Sequence, residues 1–127
     1  MSRIAPPIAP LALLCSLANV LPAQGTVADS AAVQVVMATL RSDLRNFVTA
    51  QESYFVDHVT YASSLRQLPS FRASPGITVV VLTSSDSAHS EIAISDKVPG
   101  LVCSMFVGNA PKPFGVGKEA APICRGP

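Results

Sequence analysis

The chain has no tryptophan and only two tyrosines in 127 residues, and charged side chains make up 13% of it. Nine Lys and Arg stand against eight Asp and Glu, so neither sign dominates. That balance excludes the basic face that nucleic acid or an anionic membrane surface requires, and neither is expected as a partner. Histidine is scarce, with His58 and His89 alone. No cluster of His, Cys, Asp and Glu has metal-ligand spacing, so no metal and no cofactor are expected. Asp86, Glu91 and Asp96 are spread over two turns and a strand, without the dense Asp-x-Asp spacing of a calcium loop, and read as solvated turn residues. There is no Gly-x-Ser-x-Gly elbow. Gly115-Val116-Gly117-Lys118 is too short for a phosphate loop and has no strand–helix frame. A nucleophile–base pair can be drawn only from His89 and a nearby serine such as Ser84 or Ser87. His58 follows Asp57 at a predicted helix end, where a cation suits the negative end of the helix dipole. No catalytic residue is expected.

A spanning apolar run is also missing. Met1-Ser2-Arg3 is a short positive start, Ile4 to Val20 is mostly apolar, and Leu21-Pro22-Ala23-Gln24-Gly25 offers small residues for cleavage after Ala23 or Gly25. That order is the one an export signal has, and residues 1–24 are expected to be a cleaved signal peptide. The run is too short for a membrane-spanning helix, which needs about 20 apolar residues, and Pro6, Pro7, Pro10 and Pro22 crowd it. Leu14 before Cys15 is too large for a lipoprotein acylation site. Residues 25–127 are then one domain, secreted or periplasmic, which meets the membrane only transiently during export. With Arg3 gone, its basic and acidic residues balance.

Of the three cysteines, Cys15 leaves with the signal. Cys103 and Cys124 remain, and in an oxidising compartment only one intramolecular pairing is open to them. A loop of about 20 residues closed in this way is worth roughly 3 kcal/mol in the chain-entropy model, a large share of a small domain's stability.

The periodicity along the domain predicts an α+β fold. Gln24 to Asp29 reads as a polar tail, with Asp29 or Ser30 as a helix cap. From Ala31 to His58, Val33, Val36, Met37, Leu40, Leu44, Phe47, Val48, Tyr54 and Phe55 recur at helical spacing, with Arg41, Asp43, Arg45, Gln51 and Glu52 mostly off that stripe. The predicted helix is about 25 residues long, or about 38 Å. Val59 to Phe71 reads as a connector with one helical turn, capped by Ser63 or Ser64 and ended by Pro69; Tyr61, Leu65, Leu68 and Phe71 form its predicted buried side. Strands are predicted over 77–83, 90–95 and 101–107, separated by turns at Ser84–Ser87 and Asp96–Gly100. Alternation puts Ile92 and Ile94 on one face. One face of this antiparallel meander must cover the helix stripe and the other can meet water. Pro111 and Pro113 exclude a regular central strand after Gly108, and Cys124 ties that irregular tail back to the third strand.

These features together resemble the globular head of bacterial type IV pilins and pseudopilins. The resemblance rests on a long helix ending in Ala50-Gln51-Glu52-Ser53-Tyr54-Phe55, then Tyr61 and Leu65-Arg66-Gln67-Leu68, then the meander and the C-terminal cysteines. It covers about residues 30 to 127. It implies a long helix packed on a sheet of three to four antiparallel strands. The Cys103–Cys124 spacing is similar to the disulfide loop that closes many pilin heads. Pilins enter their filament through an apolar N-terminal helix that normally carries a Glu near its start, and here an export signal stands in that place. The filament-building part of the family's function therefore does not carry over.

The expected function is that of an exported, soluble pilin-like domain. It acts by contact with a protein partner whose identity the sequence does not name, as an accessory to a pilus or a type II secretion-like system. The expected contact surface is the loop from Gly108 to Cys124, with Asn109, Lys112, Phe114 and Lys118 as its candidate residues. The alternatives are a small periplasmic ligand-binding module, with an aromatic pocket of Tyr54, Phe55, Tyr61 and Phe71 between helix and sheet, and a small hydrolase using His89.

Overall fold

A single long helix crosses one face of a four-stranded antiparallel sheet in the computed structural model, which describes residues 2–4, 7 and 25–127, with side chains from Ser30 onward in the helix. The expected signal peptide, 1–24, lies outside the described residues apart from positions 2–4 and 7. Helix α1 runs Gly25–His58, 34 residues, about 51 Å at about 1.5 Å per residue. It begins ahead of the expected cap at Asp29 or Ser30, and residues 25–29 of the predicted polar tail are its first turns. Between Pro22 and Pro69 no proline interrupts the chain, so nothing local stops the helix from starting early. No helix among the described residues is long and apolar enough to cross a membrane.

The predicted stripe is the buried face. Leu40, Leu44 and Phe47 are fully buried, and Val33, Val36, Met37, Val48 and Tyr54 pack partly buried beside them. Two polar residues expected off the stripe are also buried, Asp43 and Gln51. Each clamps a loop. Asp43 accepts from the Ser74 backbone N–H at 2.8 Å and from its hydroxyl at 2.9 Å. Gln51 closes a two-bond ring on Ala62, with Oε1 accepting from Ala62 N at 2.7 Å and Nε2 donating to Ala62 O at 2.9 Å. A buried polar group is tolerable when its partners are supplied in this way.

The helix ends at His58, whose Nδ1 donates to the Tyr54 carbonyl at 2.9 Å. Val59 follows with φ +55, a conformation that a β-branched residue adopts only under strain. In the connector, the expected turn is a short 3-10 helix, η1, Leu65–Gln67, held by Gln67 Oε1 accepting from the Ser63 and Ser64 backbone N–H groups. Leu68 reaches the core, whereas Leu65 opens the turn and is 39% exposed, against expectation.

Strands β1 (Ile77–Ser84), β2 (His89–Ser95), β3 (Val102–Val107) and β4 (Ile123–Arg125) lie in the order β1-β2-β3-β4, each antiparallel to its neighbour. The first three match the predicted meander. The fourth forms in the tail where Cys124 pairs with Cys103, and the disulfide joins these directly opposed residues. The core lies between α1 and the inner sheet face, around Phe47, Val79, Ala93, Leu101, Cys103 and Met105.

Candidate contact surface

Strand β2 is inverted. Its helix-facing side carries His89, Glu91, Ala93 and Ser95, all buried, while Ile92 is half-buried and Ile94 is 39% exposed on the other side. Pairing fixes this polarity. Glu91 and Ala93 sit between Val81 and Val79 of β1 and Met105 and Cys103 of β3, all inner-face residues. The two isoleucines therefore face outward, beside Val80 of β1, which is 40% exposed. Leu82, at the break in β1 register between Val81 and Thr83, is 49% exposed. The outer face thus offers apolar side chains to solvent while ionisable ones are held inside.

Those ionisable groups form a closed pair. His89 Nδ1 lies 2.8 Å from Glu91 Oε2, and both side chains are 0% exposed. Tyr61 covers the imidazole with ring centroids 4.5 Å apart, and Phe47 stands edge-on at 6.5 Å. Loss of water pushes the Glu91 carboxyl above its ordinary value, and the hydrogen bond and charge of His89 draw it partly back. His89 Nε2 and Glu91 Oε1 have no hydrogen-bond partner among the described residues. The imidazole therefore has an orienting carboxylate but no serine within hydrogen-bond reach. Ser85, the hydroxyl that does engage the β1–β2 turn, bonds the Ala88 carbonyl at 3.2 Å instead. Tyr61 donates its hydroxyl proton to Glu52 at 3.1 Å, and partial burial followed by that carboxylate raises its phenol above the usual range.

The expected contact loop caps one end of the outer face. Phe106 is buried there with Ala88 and Ala110. Ala120 N donates to Phe106 O at 2.9 Å, and Gly108 N donates to Glu119 Oε1 at 2.7 Å. Gly108 has φ +65, and a Cβ there would run into the Ser87 carbonyl, so the loop's first bend depends on glycine. Of the candidate residues, Asn109, Lys112 and Lys118 are exposed and Phe114 is half-buried. The Arg125 guanidinium lies over the Phe114 ring at 4.7 Å and donates to its carbonyl at 2.9 Å. Lys112 donates to Gly117 O at 3.2 Å, with its Nζ 5.4 Å from the Phe106 ring centre. Val116, at 54% exposure, is the loop's open apolar tip.

The three carboxylates considered for calcium are not brought together. Glu91 is in the core, Asp86 is exposed in the β1–β2 turn, and Asp96 is exposed past the opposite end of β2. No group of three or more potential ligands occurs among the described residues. The aromatic residues considered as a pocket pack largely on one another and on their neighbours. Phe71 packs edge-on against Phe47 at 5.2 Å, Phe55 meets Tyr61 at 4.8 Å, and Tyr54 stacks on His58 at 3.8 Å. An open groove of about 400 Å³ lies between α1 and the connector, where Phe71 joins Asn46, Thr49, Ser53, Ser70 and Arg72 in the lining, and Tyr54 lines a second groove beside it.

Sequence reasoning missed Val80, Leu82 and Ile94 as candidate surface residues. The signal was present in β2, where His89, Glu91 and Ser95 alternate with Ser90, Ile92 and Ile94, but alternation alone leaves open which set faces the helix. No protein-family model matches the chain, and no curated protein matches it either.

Proposed function

We propose that the chain is an exported, pilin-like head that acts by protein contact, as an accessory to a pilus or type II secretion-like assembly, and that it performs no catalysis. The observation that carries this reading is the open apolar surface of Val80, Leu82, Ile94 and Val116, beside and on a loop stapled by Cys103–Cys124. Adjoining exposed apolar side chains on one face of a small domain mark an interaction site, and Val80 and Ile94 flank half-buried Ile92 on the outer face of β1 and β2. The disulfide supports export to an oxidising compartment. The complete burial of His89 against Glu91 supports the absence of hydrolysis, because a general base must reach its substrate. The long helix followed by an antiparallel meander supports the pilin-like comparison at the level of architecture.

Two measurements test it. Intact mass of the exported protein should give a start near Gln24 and a gain of two protons on reduction. A photo-cross-linking residue at Val116 should capture a component of a filament or secretion assembly, while one at exposed Glu52 should not. A retained leader, free thiols, or identical products from both positions would each overturn the proposal.

A further inference from the structure

Among the described residues, strand β1 is the long free edge of the sheet. Ile77–Ser84 pairs with β2 on one side only. Among the described residues, no backbone hydrogen bond from outside the sheet reaches Thr78 to Ser84. Edges of this kind are normally blunted by charge, proline, a bulge or a covering element, and the break in register at Leu82 leaves Ile77 to Val81 as the regular stretch of this one. Here no charged residue occurs between Arg72 and Asp86, and the strand itself has no proline. Both of its faces are also incompletely covered. Ile77 and Val81 on the helix side are half-buried, and Val80 and Leu82 stand 40% and 49% exposed.

The opposite edge is different. β4 is three residues long, Ile123–Arg125, bounded by Pro122 and Pro127 and carrying Arg125, whose side chain is engaged with Phe114. A sheet with one adhesive edge and one blunt edge can add a strand once and then stop. Resting on the contact reading above, we infer that the occupant of the β1 edge is a second copy of this chain, the two β1 strands pairing antiparallel about a two-fold axis near Val80. The contact is isologous and closes at two copies, since neither β4 edge can extend it. An axis normal to the sheet keeps both helices on one side and places the two Val80 side chains at neighbouring positions of the seam. The uncharged segment brings no like charges together. It also joins the two outer apolar patches into one surface. The seam is a single strand in length, so the association belongs to the weak class of interfaces, below about 1,200 Å² in total.

The test uses the full-length chain, expressed from its own leader and purified after export. Sedimentation velocity over a concentration series should show reversible conversion from one copy to two, with no larger species. Val80→Glu and Val80→Lys, both at an exposed position, should each weaken self-association at least about tenfold, and an equimolar mixture of the two should restore it. Far-UV circular dichroism of both variants should match the parent. In parallel, hydrogen exchange of the β1 amides should slow as concentration rises, while that of β4 stays constant. A chain that remains single at its highest soluble concentration overturns the inference. So does a dimer that both charged variants leave intact, or an assembly that grows past two. A single-copy chain that still gives the Val116 cross-link removes the edge pairing but leaves the contact reading standing. A two-copy chain without that cross-link removes the contact reading instead.

Discussion

Replacing His89 by leucine isolates a carboxylate in the core, and the consequence can be worked from the geometry. Among the described residues, His89 supplies the one hydrogen bond the Glu91 side chain makes, at 2.8 Å, and neither side chain is exposed. Leucine keeps most of the imidazole's volume, so the loss is electrostatic rather than a cavity. An unpartnered buried carboxylate costs about 3–5 kcal/mol relative to the intact pair. At a urea dependence of about 1 kcal/mol per molar, suited to a domain of this size, the unfolding midpoint should fall by about 3–5 M at neutral pH. The deficit should depend on pH in a defined direction. Burial already holds the Glu91 carboxyl above its ordinary 4.5, and removing the imidazole takes away the groups that draw it down. A carboxyl raised in the folded state binds a proton more readily there than in the unfolded chain. Its stabilising contribution is fully present below 4.5 and is lost as pH rises through the folded value. The His89→Leu deficit should therefore shrink as the solution is acidified and grow to a plateau as it is made alkaline. Adding Glu91→Met to His89→Leu removes the orphan charge and should return stability to within about 1 kcal/mol of the parent, because a buried ion pair and an apolar replacement are often equivalent. The assay is urea unfolding followed by far-UV circular dichroism, with the disulfide intact, across pH. The reasoning fails if His89→Leu costs less than about 1 kcal/mol at neutral pH, if its deficit does not change with pH, or if the double variant is no more stable than the single one.

Other expectations follow from separate parts of the fold. Replacing Cys103 and Cys124 together by serine should lower unfolding free energy by about 3 kcal/mol for a loop of this length, read as a shift of the urea midpoint against the oxidised parent. Gln51→Ala leaves the buried Ala62 N–H and C=O without partners and should cost about 2–4 kcal/mol, whereas Glu52→Ala one position on, at the surface, should change stability by less than about 1 kcal/mol. Val59→Gly should raise stability by about 1 kcal/mol, since Val59 holds φ +55 at a helix end where glycine carries no steric penalty. A decrease in melting temperature for that variant would show that the strained valine makes a contact worth more than its strain.

Regular periodicity was readable and exceptions to it were not. The α1 stripe, the order of the strands and the fastening of the tail at Cys103 follow from apolar spacing, turn residues and an even cysteine count. Asp43 and Gln51 did not follow, because polarity argued for solvent. Their spacing argued otherwise: Gln51 lies four residues from Phe47 and Asp43 three from Leu40, which puts both on the buried face. The loops they clamp, at Ala62 and Ser74, are distant in sequence, so nothing local announced the partners. The early helix start is a weaker version of the same problem, since an N-cap residue marks a place where a helix can begin and not where it must. The proposed contact surface was half legible. The loop was singled out by its prolines and cysteine, but the outward turn of Ile92 and Ile94 depends on how β2 registers with β1 and β3, which is a property of pairing and not of the strand alone.

The Cys103–Cys124 bond also determines how this chain bears tension. Its two ends are separated by 21 positions in sequence, so the bond withholds about 70 Å of chain from extension. A pull on the C-terminus cannot peel β4 and pay out the loop. It passes through the bond into β3 at Cys103, near the start of that strand, which is hydrogen-bonded to β2 along the seam from Val102↔Ile94 to Val107↔His89. β1 and β3 both begin at that end of the sheet, so the load reaches the seams from there, and the Gly108–Pro122 loop, held outside the line of force, keeps its shape under a load that would straighten an open one.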